Sequence, residues 1–146
     1  MQVQLADSAC VTTPACPKIL VIDDDPGVCR LVRDVLEMEG FEVAIAVDGY
    51  AGMRQIESDR PDCVVLDVMM PGLDGHAVLS RIRAQGGRHL PVVMLTAAAD
   101  DVQAWQAWTE GVDYFLSKPF EPEELLRFLD HLFETGPEAK ATTLAG

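Results

Sequence analysis

The sequence predicts an α/β protein in which five strands alternate with five helices, giving a doubly wound, three-layer architecture around a parallel sheet. Short continuous apolar runs recur along the chain, as at Ile19–Ile22 and Cys63–Leu66, and such runs are typical of strands covered on both faces. Segments with apolar residues at helical spacing separate these runs. The alternation implies right-handed crossovers, so the carboxyl ends of all the strands should share one edge of the sheet.

Capping and turn residues delimit the predicted elements. Pro26 lies near the start of the first helix, where its missing N–H costs little, and Gly40 ends that helix. The alternation over Phe41–Val47 predicts a strand with one more exposed face. The predicted strands are Ile19–Ile22, Phe41–Val47, Cys63–Leu66, Pro91–Leu95 and Tyr114–Ser117. The predicted helices lie around Val28–Leu36, Ala51–Glu57, Val78–Ile82, Asp100–Glu110 and Leu125–Leu132.

Size and composition restrict the class of protein. The chain has 146 residues, of which 49% are hydrophobic, so it can form one domain with a substantial core. Its formal net charge of −13 disfavours nucleic-acid binding by this chain alone, because phosphate backbones are bound by clustered positive charge. No apolar run approaches a membrane span, and the N-terminus lacks the regions of a signal peptide. We therefore expect a cytoplasmic protein with reduced thiols at Cys10, Cys16, Cys29 and Cys63.

Acidic, hydroxyl and amine side chains stand just past four of the five predicted strands. They are Asp23 and Asp24 after the first strand, Asp67 after the third, Thr96 after the fourth and Lys118 after the fifth. Open α/β sheets bind ligands at the carboxyl edge of their strands, so these side chains should converge on one site. Polar residues often follow strands in loops, but that tendency explains only one or two of the positions.

This set of side chains suits the chemistry of phosphate. Three carboxylates placed close together resist full ionisation unless a cation joins them, and oxygen ligands suit Mg²⁺. A lysine can hold one phosphoryl oxygen, and a threonine hydroxyl can donate to another. An aspartate can act as the nucleophile that receives the phosphoryl group. The sequence therefore indicates a magnesium-dependent phosphoryl site at the sheet edge.

Four longer segments stand in order along the chain: ILVIDDDP, VVLDVMMPGLDG, VVMLTA and DYFLSKPF. With these segments in this order, the chain resembles the receiver domain of two-component response regulators over roughly residues 17–133. The resemblance implies a flavodoxin-like sandwich with strand order 2-1-3-4-5. Residues 1–16 have no strong periodicity and are expected to form a flexible tail, and residues 134–146 are expected to form a tail or the start of a linker.

The resemblance also implies a role for each residue of the site. Asp67 would accept the phosphoryl group, and Thr96 and Lys118 would bind it. Asp25 would be a helix N-cap or a surface acid, and the Lys118–Pro119 peptide bond would be cis. The cofactor would be Mg²⁺, which Mn²⁺ can replace. Its ligands would be Asp23, Asp24, Asp67 and the backbone carbonyl of Met69.

The implied reaction is phosphoryl transfer to Asp67 from a phosphohistidine or from a small phosphodonor. The protein donor would be a sensor histidine kinase or a phosphotransfer protein, and hydrolysis would reset the switch. The domain would turn over no outside substrate, so it would not be an enzyme in the usual sense. The face formed by the fourth helix, the fifth strand and the fifth helix would contact a downstream protein, and a homodimer could form there.

Several residues bear on switching and output. Phe115 occupies a position where many receivers have Tyr, and it is either the aromatic partner of the switch or an ordinary core residue. Met69 and Ala98 flank the phosphoryl site in the family, and neither side chain can hydrogen-bond an attacking water, which predicts slow self-dephosphorylation. Trp105 and Trp108 share a face of the predicted fourth helix, which is either a partner surface or part of the core.

Two other functions remain open from the sequence alone. A haloacid-dehalogenase-type phosphatase would use Asp23 as nucleophile and Asp25 as acid and base. The Pro26-Gly27 pair does not fit its motif, however, and Asp67 would have no role in it. A receiver-fold adaptor would bind its partners without phosphorylation. The sequence also leaves open whether the domain stands alone or was cut from a larger protein.

Overall fold

Five parallel strands form one sheet in this computed structural model, which describes residues 16–86, 89–96 and 111–133. The strand order is 2-1-3-4-5, as predicted, and every neighbouring pair is parallel. The strands are β1 (Lys18–Ile22), β2 (Glu42–Ala46), β3 (Cys63–Asp67), β4 (Val92–Thr96) and β5 (Tyr114–Ser117).

Helices cover both faces of this sheet and give the predicted three layers. The helices in the described ranges are α1 (Pro26–Met38), α2 (Gly49–Asp59), α3 (Gly75–Ala84) and α4 (Pro122–Leu132). Helix α4 is thus the fifth helix of the sequence prediction. The predicted fourth helix, with Trp105 and Trp108, lies outside the described residues, as does Ala98. None of the described helices is long and apolar enough to cross a membrane.

The core consists of two apolar clusters, one on each face of the sheet. Alternate residues of β1 point to opposite sides, so Ile19 and Val21 pack with α1 and α4, while Leu20 and Ile22 pack with α2 and α3. Strands β3 and β4 are buried along their whole length, which explains why their sequences are continuous apolar runs rather than alternating ones.

The second strand differs from its prediction. It ends at Ala46, and Val47 lies beyond it with 58% of its surface exposed. Exposure is not confined to one face, because Val43 and Ile45 pack partly into one cluster while Ala44 and Ala46 pack against the other. Since β2 is an edge strand flanked by helices on both sides, both of its faces are partly covered.

Aspartates start three of the helices at the carboxyl edge of the sheet. The side chain of Asp25 accepts a hydrogen bond from the N–H of Gly27 at 2.9 Å, so its expected role as an N-cap is confirmed. Asp48 and Asp74 cap α2 and α3 in the same way. These helices therefore begin beside the strand ends, and the loops that carry the polar side chains are held at both ends.

Candidate functional site

The sheet brings the polar strand ends together at one edge. Asp67 is the last residue of β3, and Asp23 follows β1, which pairs directly with β3. Thr96 ends β4 and is fully buried. The N–H of Lys118 donates to the carbonyl oxygen of Thr96 at 2.6 Å, which fixes the start of the chain beyond β5. Residues far apart in the sequence thus meet because neighbouring parallel strands end at the same level.

Three carboxylates form a cluster that could hold a metal ion. Asp23, Asp24 and Asp67 each offer an oxygen atom, and these atoms lie within 4.8 Å of one another. Asp23 is completely buried and Asp67 is 4% exposed, whereas Asp24 is exposed. The cluster therefore has a buried base and one open side. Its donors are all oxygen atoms, which fits a hard divalent cation such as Mg²⁺.

The amine of Lys118 bridges two of these carboxylates. Its Nζ atom lies 3.0 Å from Oδ2 of Asp23 and 3.3 Å from Oδ1 of Asp67. Burial alone would lower the pKa of Lys118, but the hydrogen bonds and negative charges of the two aspartates outweigh burial and raise it. The lysine is therefore charged at neutral pH and offsets part of the repulsion within the cluster.

The backbone fixes the orientation of Asp23. One of its carboxylate oxygens accepts from Lys118, and the other accepts from the N–H of Asp25 at 2.9 Å. The thiol of Cys29 donates to the Asp23 carbonyl at 3.2 Å. Burial, followed by the charge of Asp23, raises the pKa of Cys29 to about 11, so the thiol keeps its proton. The sequence indicated only a core residue at Cys29, and no sequence pattern reveals this contact.

The surroundings of Asp67 disfavour the ionised form of its carboxyl group. Burial and then the charge of Asp23 raise its pKa to about 6 from an ordinary value of 3.8. Lys118 and the backbone N–H of Met69 act in the opposite direction, because both donate hydrogen bonds to the carboxylate. A perturbed carboxyl group in a charged cleft is typical of a functional site.

The remaining predicted site residues take less central places among the described ones. The peptide bond between Lys118 and Pro119 is cis, as predicted. Phe115 is partly buried and packs against the cluster on the α2 and α3 side of the sheet. The side chain of Met69 is 60% exposed beside the site.

Comparison with known proteins gives the family. Residues 19–130 match the family model of the response regulator receiver domain. The chain belongs to this family. The receiver domain described here is therefore a signalling domain of the two-component type, and its convergent acids and lysine lie where the sequence motifs predicted them.

Curated relatives of this receiver domain are longer proteins. It is 41% identical over 109 residues to the DNA-binding response regulator MtrA of Mycolicibacterium smegmatis. The aligned region covers 75% of this chain and 47% of that protein. It is 42% identical over 111 residues to the DNA-binding dual master transcriptional regulator RpaA of Synechocystis. Here the aligned region covers 75% of this chain and 46% of that protein. The chain thus spans about half the length of the curated relatives it matches.

Solved receiver structures share the fold. The receiver domain of the Francisella response regulator 1452 superposes with a TM-score of 0.76 at 32% identity, covering 80% of this chain and 96% of that one. The chemotaxis protein CheY4 of Vibrio cholerae superposes with a TM-score of 0.75 at 30% identity, covering 80% and 98%.

Proposed function

We propose that this receiver domain accepts a phosphoryl group on Asp67 and that the modified site changes a protein-interaction face. The observation that supports the proposal is the meeting of Asp23, Asp24 and Asp67 with Lys118 at the carboxyl edge of the sheet. Asp67 has a chemically distinct position in this group, at the buried base of the cluster. It ends a strand, it lies next to the amine of Lys118, and burial and the charge of Asp23 raise the pKa of its carboxyl group to about 6.

The side chains divide the work of phosphoryl transfer between them. The carboxylate of Asp67 attacks the phosphorus atom, and the donor leaves with its former bonding electrons. The amine of Lys118 stays beside the attacking carboxylate and holds an oxygen of the transferred group. The buried hydroxyl of Thr96 donates to another oxygen of that group. Hydrolysis of the aspartyl phosphate then returns the site to its starting state.

The acidic cluster is the proposed place for Mg²⁺. Asp23, Asp24, Asp67 and the backbone carbonyl of Met69 are the ligands that we assign to it. When bound, the ion neutralises charge that builds up on the phosphoryl oxygens. Asp25 is not included, because its carboxylate caps α1. The same capping contact gives no support to the acid and base role that the phosphatase alternative requires of Asp25.

The proposed phosphodonor is a sensor histidine kinase or a phosphotransfer protein. A donor must present its phosphoryl group at the one open side of the cluster, next to the exposed Asp24. The proposed downstream partner contacts the face that includes β5 and α4. MtrA and RpaA are named as DNA-binding regulators, so a longer protein of that kind is one setting in which this receiver domain could act.

Intact mass after incubation with Mg²⁺ and acetyl phosphate tests the proposal. Wild type should gain one phosphoryl group, and Asp67→Asn should gain none. Asp25→Asn serves as the matched control, because asparagine caps a helix as well as aspartate does and the variant should still be phosphorylated. Folded protein that gains nothing in any variant would favour the phosphorylation-independent adaptor. A gain that survives Asp67→Asn but is lost in Asp23→Asn would favour the phosphatase.

A further inference from the structure

The loop between β3 and α3 lies against two glycines that leave no room for a side chain. A Cβ atom on Gly49, at the start of α2, would overlap the carbonyl oxygen of Leu73 and lie 2.9 Å from its Cβ. A Cβ atom on Gly75, at the start of α3, would overlap the carbonyl oxygen of Asp67 and lie 2.8 Å from Cα of Val68. The loop that follows Asp67 is therefore enclosed on both sides by backbone contacts.

The contact at Gly75 reaches the residue that we assign as phosphoacceptor. Gly75 is buried, and its N–H donates to the carbonyl oxygen of Val68 at 2.9 Å. On the other side, the N–H of Val68 donates to the carbonyl oxygen of Leu95 in β4 at 2.9 Å. Both backbone groups of Val68 are thus hydrogen-bonded, its N–H to β4 and its carbonyl oxygen to the first turn of α3.

The backbone in this region also orients the reactive carboxylate. The N–H of Met69 donates a hydrogen bond to the carboxylate of Asp67, so the direction of the side chain depends on where the backbone two residues later lies. A displacement of the first turn of α3 would move Val68 and then Met69. It would therefore weaken this hydrogen bond and turn the carboxylate away from its place in the cluster.

We propose that Gly75 is a positioning residue for phosphoryl transfer, acting through the backbone on the carboxylate of Asp67. This inference rests on the proposed function of Asp67. The absence of a side chain at Gly75 lets α3 begin in direct contact with the acceptor residue. It also places the carbonyl of Met69, the proposed fourth metal ligand, on the same fixed segment.

A second crowded glycine provides the comparison. A Cβ atom on Gly52 in α2 would lie 2.5 Å from Cδ1 of Ile22. Ile22 immediately precedes Asp23, so this crowding is also close to the site. The atoms that crowd Gly52 are Cδ1, Cγ1 and Cγ2 of the buried Ile22 side chain, whereas those that crowd Gly75 belong to the backbone of Asp67 and Val68. Added atoms at Gly75 must therefore move the loop after Asp67, whereas added atoms at Gly52 displace the Ile22 side chain rather than that loop.

The experiment compares Gly75→Ala with Gly52→Ala. For folded Gly75→Ala, the rate of phosphorylation by acetyl phosphate should fall about ten-fold or more, because misplaced reacting groups lose most of their advantage. Gly52→Ala should stay within about two-fold of wild type. The amide proton of Met69 should move upfield in the NMR spectrum of Gly75→Ala alone, without metal or phosphodonor. An unchanged rate, or an unmoved Met69 resonance, in folded Gly75→Ala would overturn the proposal.

A pair of variants at Asp74 tests the same contact if Gly75→Ala does not fold. The side chain of Asp74 caps α3 by accepting from the N–H of Ala77 at 2.9 Å. Asp74→Ala loosens the first turn without adding atoms and should lower the rate about three-fold while moving the Met69 resonance. Asp74→Asn removes the same charge but keeps the cap, so it should behave as wild type. Equal behaviour of the two variants would contradict the positioning role.

The outcomes separate this inference from the function on which it rests. If wild type gains no phosphoryl group, the proposed function fails. The Met69 resonance still decides whether Gly75 orients the Asp67 carboxylate, because that measurement needs no phosphorylation. If wild type is phosphorylated and the Gly75 and Asp74 variants keep its rate, the function stands and the positioning role falls.

Discussion

At Asp67, burial and the charge of Asp23 together oppose the ionised form that a nucleophile needs. The lysine and a backbone amide compensate only in part, so the pKa stays at about 6. The carboxylate is therefore mostly ionised at neutral pH, but its ionisation destabilises the folded protein. The local repulsion that suits a metal-binding site has a cost in stability when no cation is present.

This cost predicts a pH dependence of stability in the absence of metal. Asp67 binds its proton more tightly in the folded protein, where its pKa is about 6, than in the unfolded chain, where its pKa is 3.8. The protonated form of Asp67 therefore contributes fully to the stability of the fold below pH 3.8. This contribution, at most about 3 kcal/mol, is lost as the pH rises through 6. Urea unfolding in excess EDTA should show this decline in wild type, and Asp67→Asn should lack it. Parallel pH profiles for the two proteins would refute the prediction.

The side chain of Met69 predicts a long-lived phosphorylated state. It is 60% exposed beside the site, and a thioether offers at most a weak hydrogen bond to an attacking water. The phosphorylated protein, freed of donor and without a phosphatase, should persist for much longer than seconds by intact mass. Met69→Asn supplies a hydrogen-bonding group and should shorten the lifetime about three-fold or more. Met38→Asn, at an 84% exposed position on α1, is the control and should leave the lifetime unchanged.

At the scale of elements, the two edges of the sheet are held in different ways. The carboxyl edge has charged side chains that repel one another, with helices capped beside them. At the opposite edge, the side chain of Arg83, near the end of α3, forms a group of hydrogen bonds that is here called the Arg83 tie. Its guanidinium donates to the carbonyls of Leu90 and Gly111 at 2.7 and 2.9 Å and to the carboxylate of Asp113 at 2.9 Å. Asp113 also accepts from the N–H of Val92 at 2.8 Å, so the tie joins α3 to the starts of β4 and β5.

Loss of this tie should affect stability and not phosphoryl chemistry. Arg83→Met keeps most of the aliphatic stem but leaves a partly buried carboxylate and two carbonyls without the guanidinium, which should lower the free energy of unfolding by about 2–3 kcal/mol. Arg81→Met, at an exposed position of the same turn, should change it by less than about 0.5 kcal/mol. Urea unfolding measures both. If the rate of phosphorylation by acetyl phosphate falls as far in Arg83→Met as in Gly75→Ala, the carboxyl edge of the sheet and the opposite edge are coupled.

At the scale of the whole molecule, the chain has a formal net charge of −13 and concentrates part of it in one cluster. The described structure opposes that cluster with a single nearby amine, Lys118. Cation binding should therefore stabilise the entire fold, because it relieves repulsion in the folded state that the unfolded chain does not have.

Calorimetry with added Mg²⁺ tests this coupling. At a hundred-fold excess over its dissociation constant, the ion should add about 2.7 kcal/mol of stability, which corresponds to a rise in Tm of roughly 10 °C for a domain of this size. Asp24→Asn should lose most of the rise, and Asp25→Asn should keep it. An equal rise in Asp24→Asn and wild type would remove Asp24 from the proposed ligand set.

The alternating elements and the residues at the strand ends could be predicted from the amino-acid sequence. This was possible because burial on both faces of a strand and the helical spacing of apolar residues are local patterns. The parallel arrangement followed from the alternation, and the convergence of Asp23, Asp67 and Lys118 followed from the shared edge. The second strand was the least accurate prediction, because its exposure depends on how far flanking helices extend over an edge.

The tertiary structure was needed to show which of those residues contact one another in the site. It showed that Lys118 bridges Asp23 and Asp67, from which it is separated by 95 and 51 positions in the chain. It also confirmed the expected helix cap at Asp25 and placed Asp24 in the carboxylate cluster. Contacts such as that of Gly75 with the backbone of Asp67 likewise leave no periodic pattern. These contacts form because packing of the complete fold brings separate segments of the chain within a few ångströms of each other.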